Sequence, residues 1–345
     1  MTAASMRSVH VAGIGRVETV SRPRPAPGPD EVVVAMTYAG ICGSDTHAVA
    51  GRHPLLTPPY FPGHEATGRI CELGAGVSGW ELGQRVILKP NVSCGDCVNC
   101  RAGRTNACQT LSWIGCDSSG RRPGAMAEFF AAPAANLLAV PDGVSDQAAA
   151  LVECLSTPVH AVRIAGEMAG SRVVVIGGGT IGLFTVIAAR RAGAGRIVMT
   201  DLDPAKLARG LRHGADATAD AAGPGAAERA RAAVGGPCDI VFDCVASQGS
   251  TGQAFELLRH AGKLMVVGVP AGPLELPMPW IQDWELTVQG CANYTAEDVE
   301  AAIAIAAGGG LPAGEVVSAV RRLEDASAAF AEAARNNSGK VLIQP

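Results

Sequence analysis

The chain has 345 residues, 48% hydrophobic and 17% charged, with a formal net charge of -4. This is a globular composition long enough for two domains with separate cores, and its interspersed charges offer neither a basic stripe for nucleic acid nor a polybasic patch for anionic lipid. The opening "MTAASMRSVHVAGIG" has no charged segment followed by an unbroken apolar run, and no stretch of about 18 apolar residues follows, so a cytoplasmic protein with no membrane or nucleic-acid partner is expected.

In chain order, roughly the first 150 residues read mainly as β. "EVVVAMTYAGI" and "GQRVILKP" are short β-branched runs bounded by the Pro and Gly clusters "RPRPAPGPD" and "GAGVSGWELG". The pattern changes near Ser145. "SDQAAALVECL" predicts a capped helix, and "TPVHAVRIAG" a second one with Thr157 as cap and Pro158 at its first position. From Arg172 onward, apolar strands alternate with helical stretches ("RVVVIGG", "TIGLFTVIAARRAG", "RIVMTD", "PAKLARGLRHG", "CDIVFDCV", "GQAFELLRHAG", "KLMVVGV"). Buried strands joined by helix-length connections imply a parallel, doubly wound α/β sheet. The Ala-rich piece "ADATADAAGPGAAERARAAVGG" reads as a turn and a helix within it. After Gly290, "AEDVEAAIAIAAGG" and "SAAFAEAARNNSGKVLIQP" predict two helices and a closing strand with no obvious partner in that sheet, expected to return to the first domain. The expected division is 1–155, 156–290 and 291–345.

Eleven cysteines is an odd number, and a reducing compartment disfavours a disulfide framework. Cys94, Cys97 and Cys100 recur every three residues, with Cys108 eight further on, so one loop can converge four thiolates on a tetrahedral zinc at about 2.3 Å each. Such a shell has no open position and serves structure. An iron–sulfur cluster is disfavoured, because the bacterial ferredoxin run places three residues before its last cysteine against seven here. Cys71, Cys116, Cys238, Cys244 and Cys291 stand alone and read as small buried apolar groups.

"VVVIGGGTIG" places Gly177, Gly179 and Gly182 in the order GxGxxG after a strand and at the opening of a helix, with Thr180 and Ile181 in its first turn. The glycines permit a tight turn, close approach to a pyrophosphate and close helix packing, and the helix terminus favours negative charge. Asp201 ends the next strand, twenty-four residues after Gly177, with Lys206 five further on. A carboxylate there holds the adenosine ribose and repels a 2′-phosphate, which favours NAD over NADP. "GICGSDTH", "FPGHE" and "LVEC" bring a second possible ligand set: Cys42, His64, Glu65 and Glu153. Thiolate, imidazole and carboxylate with one position open make a catalytic zinc site.

Taken together, "GICGSDTH", "FPGHEATGRICELGAGV", the four-cysteine lobe, "GGGTIG" and "VVGVP" resemble, in order and interval and over essentially the whole chain, the zinc-dependent medium-chain alcohol and polyol dehydrogenases. The resemblance implies a discontinuous GroES-like catalytic domain around an inserted Rossmann domain. It also implies Cys42 and His64 as zinc ligands, with Glu65 or Glu153 as the third. This pattern lies nearer the sorbitol, butanediol and threonine dehydrogenase branch. Ser44 resembles the family's relay hydroxyl, His47 the imidazole that passes the proton on through the nicotinamide ribose, and Asp45 a supporting carboxylate. Gly268 and Val269 resemble the segment lining the nicotinamide. Arg335 lies where relatives contact the pyrophosphate, although "RNNSGK" is spaced differently, and Trp113 is placed in the pocket or the core.

The expected activity is hydride transfer between a secondary alcohol (a polyol, sugar, cyclitol or amino alcohol) and NAD, with one catalytic and one structural zinc, in a homodimer or homotetramer. A biosynthetic aldehyde or alkene reductase on the same fold, and a non-catalytic NAD-binding subunit, are the alternatives.

Overall fold

The structure is a computed structural model and describes residues 5–335 and 339–345. It divides into two compact units, Met1–Glu153 with Thr295–Pro345, and Cys154–Tyr294.

The first unit is built on a seven-stranded sheet. Its order is Val317–Arg322, Lys340–Gln344, Glu31–Gly40, Glu65–Leu73, Arg85–Leu88 and Leu137–Ala139, with Phe129–Pro133 also pairing on Glu31–Gly40. The β-branched run Val32–Val34 is fully buried, and Val32 and Val34 pack with Tyr60, Ile70, Phe130 and Ile343. The closing strand places Leu342 opposite Gly40, and Gly40 in turn lies opposite Glu65. That register carries the end of the chain to a glutamate more than 270 residues earlier, which no local pattern predicts.

The second unit holds a six-stranded sheet, parallel throughout, in the order Ala217–Asp220, Arg196–Asp201, Arg172–Ile176, Cys238–Asp243, Leu258–Val266 and Thr287–Gly290. Strand order reverses at Arg172–Ile176, where the neighbours on its two sides come from different parts of the chain. Such a switch point is where open α/β sheets bind ligands. Val174, Ile176, Val198, Val241 and Leu264 form the sheet's part of the core.

Two expectations need correction. The two helices expected around Thr157 are one, Asp146–Ala165, with Pro158 inside it. An interior proline costs about 3 kcal/mol in a helix, but Ala149–Ser156 are all buried, and the apolar surface they remove from water outweighs that cost. By length and composition this helix could cross a membrane, yet 83% of its most apolar window is buried inside the protein, as in a core helix. The Ala-rich segment contributes the helix Ala226–Val234 and also the short strand Ala217–Asp220, whose alternating small residues hide its β character.

Candidate active site

Cys42 directly precedes the helix Gly43–Val49, and His64 directly precedes the strand Glu65–Leu73. Ligand atoms of Cys42, His64 and Glu65 lie within 4.8 Å of one another, and so do those of Asp45, His64 and Cys116. His64, Glu65 and Asp45 are buried. Glu65 Oε1 accepts a hydrogen bond from Lys340 Nζ at 2.7 Å, whereas Oε2 is buried and accepts none among the described residues. A Cβ on residue 40 would sit 2.2 Å from that oxygen, so glycine at 40 is what gives the carboxylate its room.

Burial opposes charging the His64 imidazole, but Cys116, Cys42 and Asp45 outweigh it and hold the ring well above its ordinary value. A field that retains a proton so strongly also attracts a metal cation. Sulfur, ring nitrogen and carboxylate oxygen form a donor set suited to zinc, and the orphaned Glu65 oxygen fits a cation ligand.

Ser44 and His47 are three residues apart on the helix Gly43–Val49 and so share a face. Ser44 is half-buried and His47 exposed. Partial desolvation, helped by Arg52, keeps His47 below its ordinary value, so at neutral pH the ring is uncharged and able to accept a proton.

The four-cysteine lobe is a separate cluster. Cys94, Cys97, Cys100 and Cys108 bring their sulfurs within 4.8 Å of one another, with Cys108 Sγ 3.5 Å from Cys94 Sγ. Main-chain amides point at them: Cys94 N–H donates to Cys108 Sγ at 3.3 Å and Cys97 N–H to Cys94 Sγ at 3.4 Å. The amide of Gln109 leads the contributions that lower Cys97 to about 6, whereas burial and then the Cys97 hydrogen bond push its neighbour Cys100 up to about 11, so the sulfurs share protons that a bound metal would displace.

In the second unit, Gly179 caps the helix Thr180–Arg191 without a side-chain partner, and a Cβ there would meet nothing within 4 Å. The amides of the first turn, beginning with Thr180 and Ile181, have no carbonyl partner within the helix. Gly177 has φ +97°, and a Cβ on Gly182 would lie 1.7 Å from Gly177 O, so the turn requires glycine at 177 and the packing requires it at 182. This suits a pyrophosphate. Asp201 Oδ2 accepts the Gly178 N–H at 2.6 Å, Oδ1 accepts that of Asp203 at 2.9 Å, and Lys206 Nζ stands 3.8 Å away. Gly268 N–H donates to Asp243 O at 2.9 Å, and Val269 beside it is 52% exposed.

Two family models match the chain: an alcohol dehydrogenase GroES-like domain over residues 28–142 and a zinc-binding dehydrogenase over 180–308. L-galactonate-5-dehydrogenase from Escherichia coli K12 is 34% identical over 275 residues, covering 79% of each chain. A crystal structure described as a zinc-binding dehydrogenase from Sinorhizobium meliloti 1021, bound to NADP, superposes with a TM-score of 0.89 at 31% identity, covering 99% of this chain and all of the other. L-idonate 5-dehydrogenase from Escherichia coli K-12 gives 0.90 at 25% identity, covering 99% of each chain. The chain belongs to the zinc-dependent medium-chain alcohol and polyol dehydrogenases. It is an oxidoreductase with a GroES-like domain and a Rossmann domain.

Within this dehydrogenase, Cys42, His64 and Glu65 come together, and Glu153, buried on the helix Asp146–Ala165, belongs to neither ligand set. Arg335 is the exposed last residue of the helix Ala326–Arg335, in the first unit; residues 336–338 of "RNNSGK" lie outside the described residues. Trp113 stands edge-on to His64 with ring centroids 6.2 Å apart, which places it beside the candidate ligand set. Cys116, expected to be an isolated apolar group, has its sulfur 3.2 Å from His64 Nδ1. Its distance of 52 residues from His64 concealed that. Lys340 was also missed. The sequence signal for it is a single lysine opening an otherwise apolar strand, a position where a charge must find a buried partner.

Proposed function

We propose that the protein interconverts a secondary alcohol and its ketone on a polyol or sugar-derived substrate, with NAD as hydride carrier. The observation that carries this is the convergence of Cys42, His64 and Glu65 within 4.8 Å, one helical residue before the hydroxyl of Ser44. L-galactonate-5-dehydrogenase and L-idonate 5-dehydrogenase are both named for oxidation of a sugar-derived secondary alcohol, which supports the substrate class.

Cys42, His64 and Glu65 hold the catalytic ion in this reading, and Cys94, Cys97, Cys100 and Cys108 the structural one. When bound, zinc stabilises negative charge developing on the alcohol oxygen and NAD accepts the hydride. The chain's own residues manage the proton. Ser44 accepts it from the substrate hydroxyl while giving its own proton onward through the nicotinamide ribose to His47, which, uncharged at neutral pH and exposed, takes it up and releases it to solvent. The Gly177–Gly182 loop with Thr180 and Ile181 carries the pyrophosphate, Gly268 and Val269 flank the nicotinamide, and Asp201 with Lys206 takes the ribose hydroxyls. Asp201 favours NAD, because a 2′-phosphate would face its carboxylate; the NADP-bound relative from Sinorhizobium meliloti makes that preference a point to measure.

The test is a panel of polyols, sugar acids and amino alcohols, each offered with NAD and with NADP and followed by nicotinamide absorbance. Turnover of at least one polyol or sugar acid is expected, with a higher kcat/KM for NAD. Tight NADH binding with no turnover on any alcohol would mark a non-catalytic subunit, and equal or better use of NADP would remove the role given to Asp201.

A further inference from the structure

A histidine that gives one ring nitrogen to a metal carries its proton on the other, and that N–H needs a buried acceptor to hold the ring in place. Two protein groups approach His64 Nδ1. Asp45 Oδ2 lies 3.9 Å from it, beyond hydrogen-bonding distance, and both oxygens of Asp45 are already engaged. Oδ2 accepts the Cys42 amide at 3.2 Å, and Oδ1 accepts the Tyr60 hydroxyl at 3.0 Å. The group within reach of Nδ1 is Cys116 Sγ, at 3.2 Å.

The backbone fixes that sulfur in place. A Cβ on Gly115 would lie 2.7 to 2.9 Å from Gly63 and the amide nitrogen of His64, and one on Gly124 would lie 2.2 Å from Pro62 O and 2.7 Å from Gly115 Cα. Three glycines thus let the turn bearing Cys116 press against the segment bearing His64, backbone to backbone. The turn is closed by Gly115 N–H donating to Arg122 O at 3.0 Å and by Cys116 N–H donating to Trp113 O at 3.3 Å. The Trp113 ring stands perpendicular to the His64 imidazole. Ring plane and ring nitrogen are therefore both set by the segment Trp113–Cys116.

We propose that Cys116 is a positioning residue of the catalytic metal site: its sulfur accepts the Nδ1–H of His64 and presents Nε2 to the ion shared with Cys42 and Glu65. Sulfur thereby takes a place that carboxylates commonly fill, while Asp45 fixes the Cys42 backbone and Tyr60. This rests on the reading of Cys42, His64 and Glu65 as the catalytic metal site.

The experiment compares Cys116→Val, which removes the acceptor at similar size, with Cys116→Ser, which keeps one. Cys116→Ala serves as a second acceptor-free variant should valine not be accommodated. Zinc released to a chromogenic chelator resolves the catalytic ion from the lobe ion. Acceptor-free variants are expected to lose the catalytic ion about 10- to 100-fold faster with the lobe phase unchanged, and serine to restore most of the difference. Cobalt-substituted wild type, valine and serine variants should share the same thiolate-to-metal charge-transfer intensity, because Cys116 touches the ligand and not the metal. Wild-type release rates in the acceptor-free variants, or serine behaving like valine, would overturn the proposal. A drop in charge-transfer intensity in the serine variant would make Cys116 a direct ligand and overturn it as well. Wild-type protein holding only the lobe ion would defeat the metal-site reading itself.

Discussion

The two metal regions solve the problem of concentrated negative charge differently. In the lobe, four cysteines from fifteen consecutive residues meet, Cys94 is exposed, and nearby main-chain amides offset the charge. At the proposed catalytic set, one sulfur before a helix is gathered with one imidazole and one carboxylate at the start of a strand, and the offset is Lys340, brought by the last strand. A local site can be assembled by its own loop. A buried mixed-donor site needs a sheet register, a glycine at 40 and a cation from the far end of the chain. In the proposed reading the first, with four thiolates, has no open position, whereas the second, with three protein ligands, keeps one for substrate.

This contrast is broken most sharply by paired cysteine replacements. Cys42→Ala should abolish turnover by roughly a thousandfold or more, since metal stabilisation of charge contributes several kcal/mol. Fold and lobe zinc should survive, and elemental analysis should fall from two ions per chain to one. Cys108→Ser should also leave one ion, but lower thermal stability because structural zinc contributes folding energy directly. Matching phenotypes in the two variants would show that the regions are not independent.

Ser44→Ala should lower kcat by about 10²- to 10⁴-fold while NADH binding, followed by fluorescence, stays unchanged. Near-normal turnover would remove the hydroxyl from the relay.

Lys340→Met leaves the Glu65 carboxylate buried without its cation, and breaking such a pair costs about 3–5 kcal/mol. A lowered unfolding midpoint is expected, larger than that of Lys340→Arg. An unchanged midpoint would mean that the metal alone supports Glu65.

The smallest effect is a control outside both regions. Arg7 donates to Glu128 at 2.7 Å on a partly exposed surface. Burial works against the Glu128 charge, but the Arg7 hydrogen bonds outweigh it and hold the carboxyl below its usual value. That contribution is therefore present above the usual carboxylate range and lost as pH falls through the lowered value. Glu128→Gln should flatten this slight acid dependence of the unfolding midpoint and leave the metal content at two.

The readable features were those with short-range causes. Cysteines every three residues specify a tetrahedral pocket, and glycines at 177, 179 and 182 after an apolar strand specify a phosphate turn, because both depend on neighbours along the chain. The run from Arg172 announces its parallel sheet through fully apolar strands. Reading failed where burial overruled a local signal, as at Pro158, and where small residues concealed a strand, as at Ala217–Asp220.

What the sequence determined alone was thus the family, the two-domain plan, the lobe and the nucleotide loop, since each rests on residue spacing or local backbone freedom. Tertiary structure decided the company kept by His64 and Glu65. Cys116 reaches His64 because Gly63, Gly115 and Gly124 let two backbones touch, and Lys340 reaches Glu65 because strand register aligns residues more than 270 positions apart. Contacts of that kind are set by packing and hydrogen-bond register across a folded sheet, so they become legible only once the chain has closed on itself.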